Sequence, residues 1–153
     1  MESRTGRTKQ RYNAKGERLV AGVVPLNEPK TLVMLIQSDR RKGWVLPKGG
    51  WETDEDCQTA AQREAWEEAG ILIQIDYDLG DIAETRPPKA PSKTKKRERA
   101  VYRFYEATVL SEENDWPEKN KRQRQWMTFA DAYEVLKERP ELQEALNRST
   151  MKR

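Results

Sequence analysis

The segment Gly49–Ile71, GGWETDEDCQTAAQREAWEEAGI, constrains this chain more than any other stretch. Its glycines, acids and arginine fall on a fixed pattern, G-x5-E-x7-R-E-U-x-E-E-x-G-U, where U is a bulky aliphatic residue. Gly49, Glu55, Arg63, Glu64, Glu67, Glu68, Gly70 and Ile71 fill it, and only Ala65 is smaller than the pattern asks. The local physics specifies loop, helix, loop. Thr53 followed by Asp56 forms a capping box that predicts a helix start near Asp54, with Asp54, Glu55 and Asp56 at the positive end of the helix dipole. Ala60, Ala61, Ala65 and Ala69 favour the helix, and Gly70 supplies the left-handed residue that ends it. Glu64 lies three residues from Glu67 and four from Glu68, so the three carboxylates share one side of the helix. Like charges at that spacing repel, which calls for a cation.

The inventory narrows which cation. The chain has no histidine and one cysteine, Cys57. A structural zinc site, an imidazole base and Ser-His-Asp or Cys-His catalysis are therefore excluded. Carboxylate oxygens are hard donors suited to Mg²⁺ or Mn²⁺. Cys57, in the first helical turn, would have its thiolate favoured there, although a redox role is not expected.

With 153 residues, 35% of them hydrophobic, the chain suffices for one core. Residues 1–17 read as a basic N-terminal arm, 18–148 as a single domain and 149–153 as a tail. The arm has no apolar run, and no later stretch approaches the ~18 apolar residues of a membrane span. The expected protein is a monomer without membrane attachment. Its expected place is the cytoplasm, the nucleus or both, the alternative being secretion after loss of a signal peptide preceding residue 1. Strand-like runs occur at 18–26, 31–37, 44–46, 71–77, 100–110 and 124–127, with a turn at Asn27-Glu28-Pro29-Lys30. Thr128 and Asp131 form a second capping box, predicting a helix to about Glu138. Pro140 interrupts it, and a short helix follows over 141–147.

Charge is strongly segregated beneath a net of +3. Glu52–Glu68 holds seven acids and one base, whereas Arg86–Arg99 holds seven bases and one acid. Residues 1–18 add six bases against two acids, and Lys119, Lys121, Arg122 and Arg124 cluster before the last strand. The acidic part suits a metal, and the basic parts suit a highly phosphorylated partner.

The segment resembles a Nudix box, and the resemblance runs from about Arg18 to about Pro140. Membership implies an α+β fold, an α/β/α sandwich around a mixed sheet, and hydrolysis of a nucleoside diphosphate derivative or related pyrophosphate. GWVLPKGGWE, Arg99 and Tyr102 in RERAVYRFY, and NDWPEKNKRQRQW resemble the diphosphoinositol polyphosphate phosphohydrolase branch that also acts on diadenosine polyphosphates. That resemblance places Arg18, Ser38, Arg40, Lys48, Gly49, Gly50, Arg99, Arg122 and Arg139 where the branch grips substrate phosphates. Lys48 departs from the glycine usual there, and the 86–99 loop is longer than in animal relatives. Glu64, Glu67 and Glu68 would bind Mg²⁺, or Mn²⁺, helped by a carbonyl near Lys48 or Gly49. Glu68 is the expected base, with Glu67 competing, and Arg63 would orient the carboxylates while Glu55 ties the loop. The expected products are orthophosphate and a lower inositol pyrophosphate or inositol hexakisphosphate.

Other readings stay open. Diadenosine polyphosphate or mRNA-cap hydrolysis would need a base platform from Trp44, Trp51 or Tyr102, although such tryptophans more often anchor packing. Nucleic acid is expected as a partner only in the form of capped RNA. A non-catalytic polyanion-binding module leaves the acidic helix unexplained.

Overall fold

The computed structural model describes residues 9–38, 43–85 and 99–153. Arg40, residues 1–8 of the expected arm and 86–98 of the basic loop lie outside the described residues. Among the described residues, seven strands and three helices run in the order β1 (Arg18–Leu26), β2 (Val33–Gln37), β3 (Trp44–Val45), β4 (Lys48–Gly50), α1 (Cys57–Ala69), β5 (Ile71–Ala83), β6 (Ala100–Glu112), β7 (Arg124–Met127), α2 (Phe129–Val135) and α3 (Pro140–Arg148).

Strand β1 is the spine. Every residue from Val20 to Leu26 is buried, so both faces are covered, as in a sandwich interior. It pairs in parallel with β6 along its whole length, from Arg18 opposite Ala100 to Leu26 opposite Thr108. Its other edge is shared: Val20, Ala21 and Gly22 pair antiparallel with Gly50, Gly49 and Lys48 of β4, and Leu26 pairs with Val33 of β2. The sheet path is β3-β2-β1-β6-β5, with β7 added on β2, and it is mixed as expected. Helix α1 packs on β1, β4 and β5; α2 packs on β2 and β7, and α3 on β5. Gly22 allows β4 to approach, because a Cβ there would come within 2.5 Å of the Phe104 ring and 2.9 Å of Lys48 Cβ.

Several boundaries differ from the sequence reading. Pro47–Gly50, expected as a loop mouth, contributes strand β4. Strand β5 continues six residues beyond Tyr77, to Ala83, absorbing Asp78 and Gly80 (φ 82°) at register shifts against β6. Helix α2 stops at Val135 instead of Glu138, and Pro140 takes the first turn of α3, where its missing N–H costs nothing.

The described residues ahead of β1 and those after α3 both contact the sheet region. Gln10 bridges Glu52, and Tyr12 bridges Arg18. At the other end, the fully buried Glu106 accepts from Lys30 Nζ (2.9 Å) and from the Thr150 amide (2.6 Å) and hydroxyl (2.7 Å). Met151 is buried.

Candidate active site

Helix α1 is capped by Asp56, not Thr53, and begins at Cys57 instead of near Asp54. The Asp56 side chain accepts from the Thr59 amide (2.8 Å), whereas Thr53 spends its own amide on the Lys9 carbonyl (2.7 Å). Asp54, Glu55 and Asp56 consequently lie ahead of the first turn, which carries no acid. Gly70 ends the helix as expected, at φ 65°, its amide bonded to the Trp66 carbonyl. The turn is also tight: a Cβ on Gly70 would come within 2.5 Å of the Trp116 ring.

Arg63 organises the carboxylates. The residue is 6% exposed, and its guanidinium grips Glu55 with two bonds, Nε to Oε2 at 3.1 Å and Nη2 to Oε1 at 2.7 Å. Nη1 donates to Glu64 Oε1 (2.8 Å) and Glu67 Oε1 (3.1 Å), and Nη2 also donates to the Gly50 carbonyl (3.0 Å). Arg63 thereby joins α1, the loop before it and β4. Glu68 is held otherwise, accepting from the Lys48 amide at 2.9 Å with Arg122 Nη1 at 4.0 Å. The sequence reading places three carboxylates around one cation. In the structure Glu64 and Glu67 share Arg63, Glu68 lies toward Lys48, and no preformed metal-ligand cluster occurs among the described residues.

The donors nevertheless fit a divalent metal. Glu64 is buried and raised well above the usual carboxylate range, first by burial and then by the charge of Glu68. Burial pushes Glu68 to about 7, against the opposing pull of Lys48 and Arg122. Gly49 completes a cradle, since a Cβ there would lie 2.0 Å from Glu64 Oε2. Hard oxygens that crowd together and hold protons above their normal range are the donors a metal displaces protons from. Stabilisation of the fold by Mn²⁺ should therefore grow as pH rises from 5 to 7 and level off above. Without metal, the raised carboxylates favour the folded state at low pH and lose that contribution as pH climbs through about 7. Melting curves with and without Mn²⁺ across pH 5–8 check this, and a metal-induced shift independent of pH would refute it.

The cations expected to hold phosphates separate into groups. Lys48, opposite Gly22, feels the charges of Glu68, Arg139, Arg18 and Glu64, and burial lowers its pKa. Arg139 is fixed by Glu141 (2.8 Å) and by the Tyr102 hydroxyl (3.2 Å). Arg18 Nε donates to Gln10 Oε1 (3.1 Å). Arg99 is exposed, and its carbonyl accepts from the Arg18 amide at 2.8 Å. Gly50 offers its carbonyl to Arg63, and the Ser38 amide donates to the Gly43 carbonyl at 2.9 Å. Arg122 is buried and pairs with Glu118 (2.8 Å), with Glu68 at 4.0 Å.

Sequence reasoning missed Gln10, Arg11, Glu118 and Glu141 because none belongs to a periodic or spaced motif. It also favoured the Cys57 thiolate, but the thiol is buried and its pKa is raised by burial. Trp51 packs against the core, its indole N–H donating to the Glu55 carbonyl (2.9 Å) and the Arg11 guanidinium 4.4 Å from its ring centre.

The NUDIX domain model matches residues 16–148. The chain belongs to the Nudix family. Nudix hydrolases act on phosphoanhydrides in small phosphorylated substrates and generally use a divalent metal such as Mg²⁺. This Nudix chain is 38% identical over 144 residues to Nudix hydrolase 4 of Arabidopsis thaliana, covering 87% of this chain and 66% of that one. To Nudix hydrolase 21, chloroplastic, of the same plant it is 39% identical over 141 residues, covering 87% and 67%. It thus spans about two thirds of those relatives. In solved structures, a NUDIX hydrolase from Nitrosomonas europaea shares the fold at TM-score 0.69 and 14% identity, covering 86% of this chain and 87% of that one. The C. elegans Ap4A hydrolase binary complex does so at 0.61 and 21%, covering 85% and 93%. Nudix hydrolase 21 is named chloroplastic and Nudix hydrolase 17 of the same plant mitochondrial, neither being the cytoplasmic or nuclear placement expected from sequence. No helix among the described residues is long and apolar enough to cross a membrane.

Proposed function

We propose that this Nudix hydrolase cleaves the phosphoanhydride of highly anionic small molecules, diphosphoinositol polyphosphates first and diadenosine polyphosphates second. The observation that carries the reading is the place of Lys48 on β4, opposite Gly22 of β1 and with its amide on Glu68, where it lies within electrostatic reach of Arg18, Arg139 and Glu64. Cations so placed beside buried carboxylates favour a ligand that brings several negative charges and shares a metal.

In this reading Glu64, Glu67 and Glu68, with a backbone carbonyl near Lys48 or Gly49, would hold Mg²⁺ or Mn²⁺, which when bound would lower the pKa of a water and offset charge developing on phosphorus. Glu68 takes the proton of the attacking water, with Glu67 as the competing base, and Arg63 keeps Glu64 and Glu67 in place. Lys48, Arg18, Arg99 and Arg139 hold phosphates, joined by Ser38, Arg40, Gly50 and Arg122. The products are orthophosphate and inositol hexakisphosphate or a lower inositol pyrophosphate.

The dinucleotide alternative needs an aromatic surface for a base. Trp51 already carries Arg11, and Tyr102 is 5% exposed and stacked on Phe104, which favours a ring without a base. A single cysteine suits a reducing compartment, whether cytoplasm, nucleus or organelle interior. The deciding experiment compares hydrolysis of diphosphoinositol polyphosphates, diadenosine polyphosphates, linear polyphosphate and capped RNA by the full chain in Mg²⁺. The highest kcat/KM is expected for the diphosphoinositol substrate, and Lys48→Met should raise KM more for it than for a diadenosine polyphosphate. A clear win for capped RNA would overturn the substrate assignment.

A further inference from the structure

The Nudix match begins at residue 16, yet residues ahead of it grip the loop that leads into α1. The Arg11 amide donates to the Trp51 carbonyl (2.9 Å). Its Nη2 then reaches three successive parts of the loop, the carbonyls of Glu52 (3.4 Å), Thr53 (3.1 Å) and Glu55 (3.1 Å). The same guanidinium lies over the Trp51 ring, whose indole N–H also donates to the Glu55 carbonyl. One cation therefore gathers a turn whose own backbone bond, Glu55 to Glu52, is long at 3.4 Å. The consequence passes inward. Glu55, fixed at its carbonyl by Arg11 and Trp51, presents its carboxylate to Arg63 with two bonds, and Arg63 spends Nη1 on Glu64 and Glu67.

We propose that Arg11, outside the family's domain, is a positioning residue for the metal-binding carboxylates, acting through the 52–55 turn, Glu55 and Arg63. The inference rests on the assignment of Glu64, Glu67 and Glu68 as metal ligands. Partners that orient ligands from one shell out commonly contribute 10–100-fold in metal affinity or activity. Arg11 acts from one step further out, so the lower end applies.

The test uses the full chain without substrate, titrating Mn²⁺ by electron paramagnetic resonance, with circular dichroism to establish folding. Arg11→Ala should weaken Mn²⁺ about tenfold, and Arg11→Lys, which keeps the charge but loses the fork, should restore part of it. In turnover assays at saturating Mg²⁺, kcat should fall while substrate KM stays constant, because among the described residues the Arg11 side chain bonds the 52–55 turn and not Lys48, Arg18 or Arg139. Wild-type Mn²⁺ affinity in folded Arg11→Ala overturns the proposal. Should that variant not fold, Arg11→Lys and Trp51→Phe replace it, and unchanged affinity in both overturns the proposal equally. Glu64→Gln runs alongside. If it loses Mn²⁺ while the Arg11 variants keep it, only this inference fails; if it too binds like wild type, the ligand assignment fails and takes the inference with it.

Discussion

Glu68→Gln should lower phosphate release from a diphosphoinositol substrate in Mg²⁺ by about 10²–10⁴-fold, the range of a general-base contribution. The substitution isolates charge from shape. Gln keeps the volume and an oxygen that can accept from the Lys48 amide, now at 2.9 Å, so β4 keeps its contact with α1. What disappears is the negative charge between Lys48 and Arg122. Arg63 binds Glu64 and Glu67 and leaves Glu68 to those two, which is why Glu68 is the better candidate for the proton. Glu67→Gln provides the comparison. If Glu67→Gln abolishes turnover while Glu68→Gln works at near the wild-type rate, the roles are reversed; if both turn over normally, the carboxylate mechanism is wrong.

Arg63→Met should destabilise the metal-free protein by about 3–5 kcal/mol, the cost of stranding buried charges when one partner is removed. For a domain of this size, that corresponds to a fall in melting temperature of roughly 10 °C or more. The Arg63 side chain is 7% exposed, and that of its two-bond partner Glu55 is 2% exposed, so solvent cannot replace the lost cation. Glu64 and Glu67 would face each other with no positive charge between them. Excess Mn²⁺ should recover part of the loss by supplying that charge, and Arg63→Lys should fall between, because an ammonium cannot fork onto Glu55. Melting at the wild-type temperature would mean that the carboxylates do not depend on Arg63.

These effects trace back to residues whose importance is legible in the chain to different degrees. The spacing from Gly49 to Ile71 identifies α1 and its end at Gly70, because a glycine in the left-handed region is a local requirement. The apolar run of β1 and the box at Thr128 were legible for the same reason, as their signals lie within a few residues. The helix start was not. Thr53 and Asp56 are both competent caps, and the choice between them fell to Lys9, which claims the Thr53 amide from 44 positions away in the chain. Strand β4 was invisible for a similar reason. Pro47-Lys48-Gly49-Gly50 has turn composition, and it becomes a strand because β1 offers an unpaired edge at Val20–Gly22.

The sequence by itself determined the chemistry available here: carboxylates at helical spacing, no imidazole, and basic segments for an anionic partner. Local periodicity, capping and inventory suffice for that. Only the tertiary structure decided how those groups divide: Glu64 and Glu67 to Arg63, Glu68 to the Lys48 amide, Arg122 to Glu118, and Arg11 to the loop that carries Glu55. Such assignments depend on which long side chains reach the same point in space, and that is set by the pairing of β1 with β4 and by the packing of α1 against them.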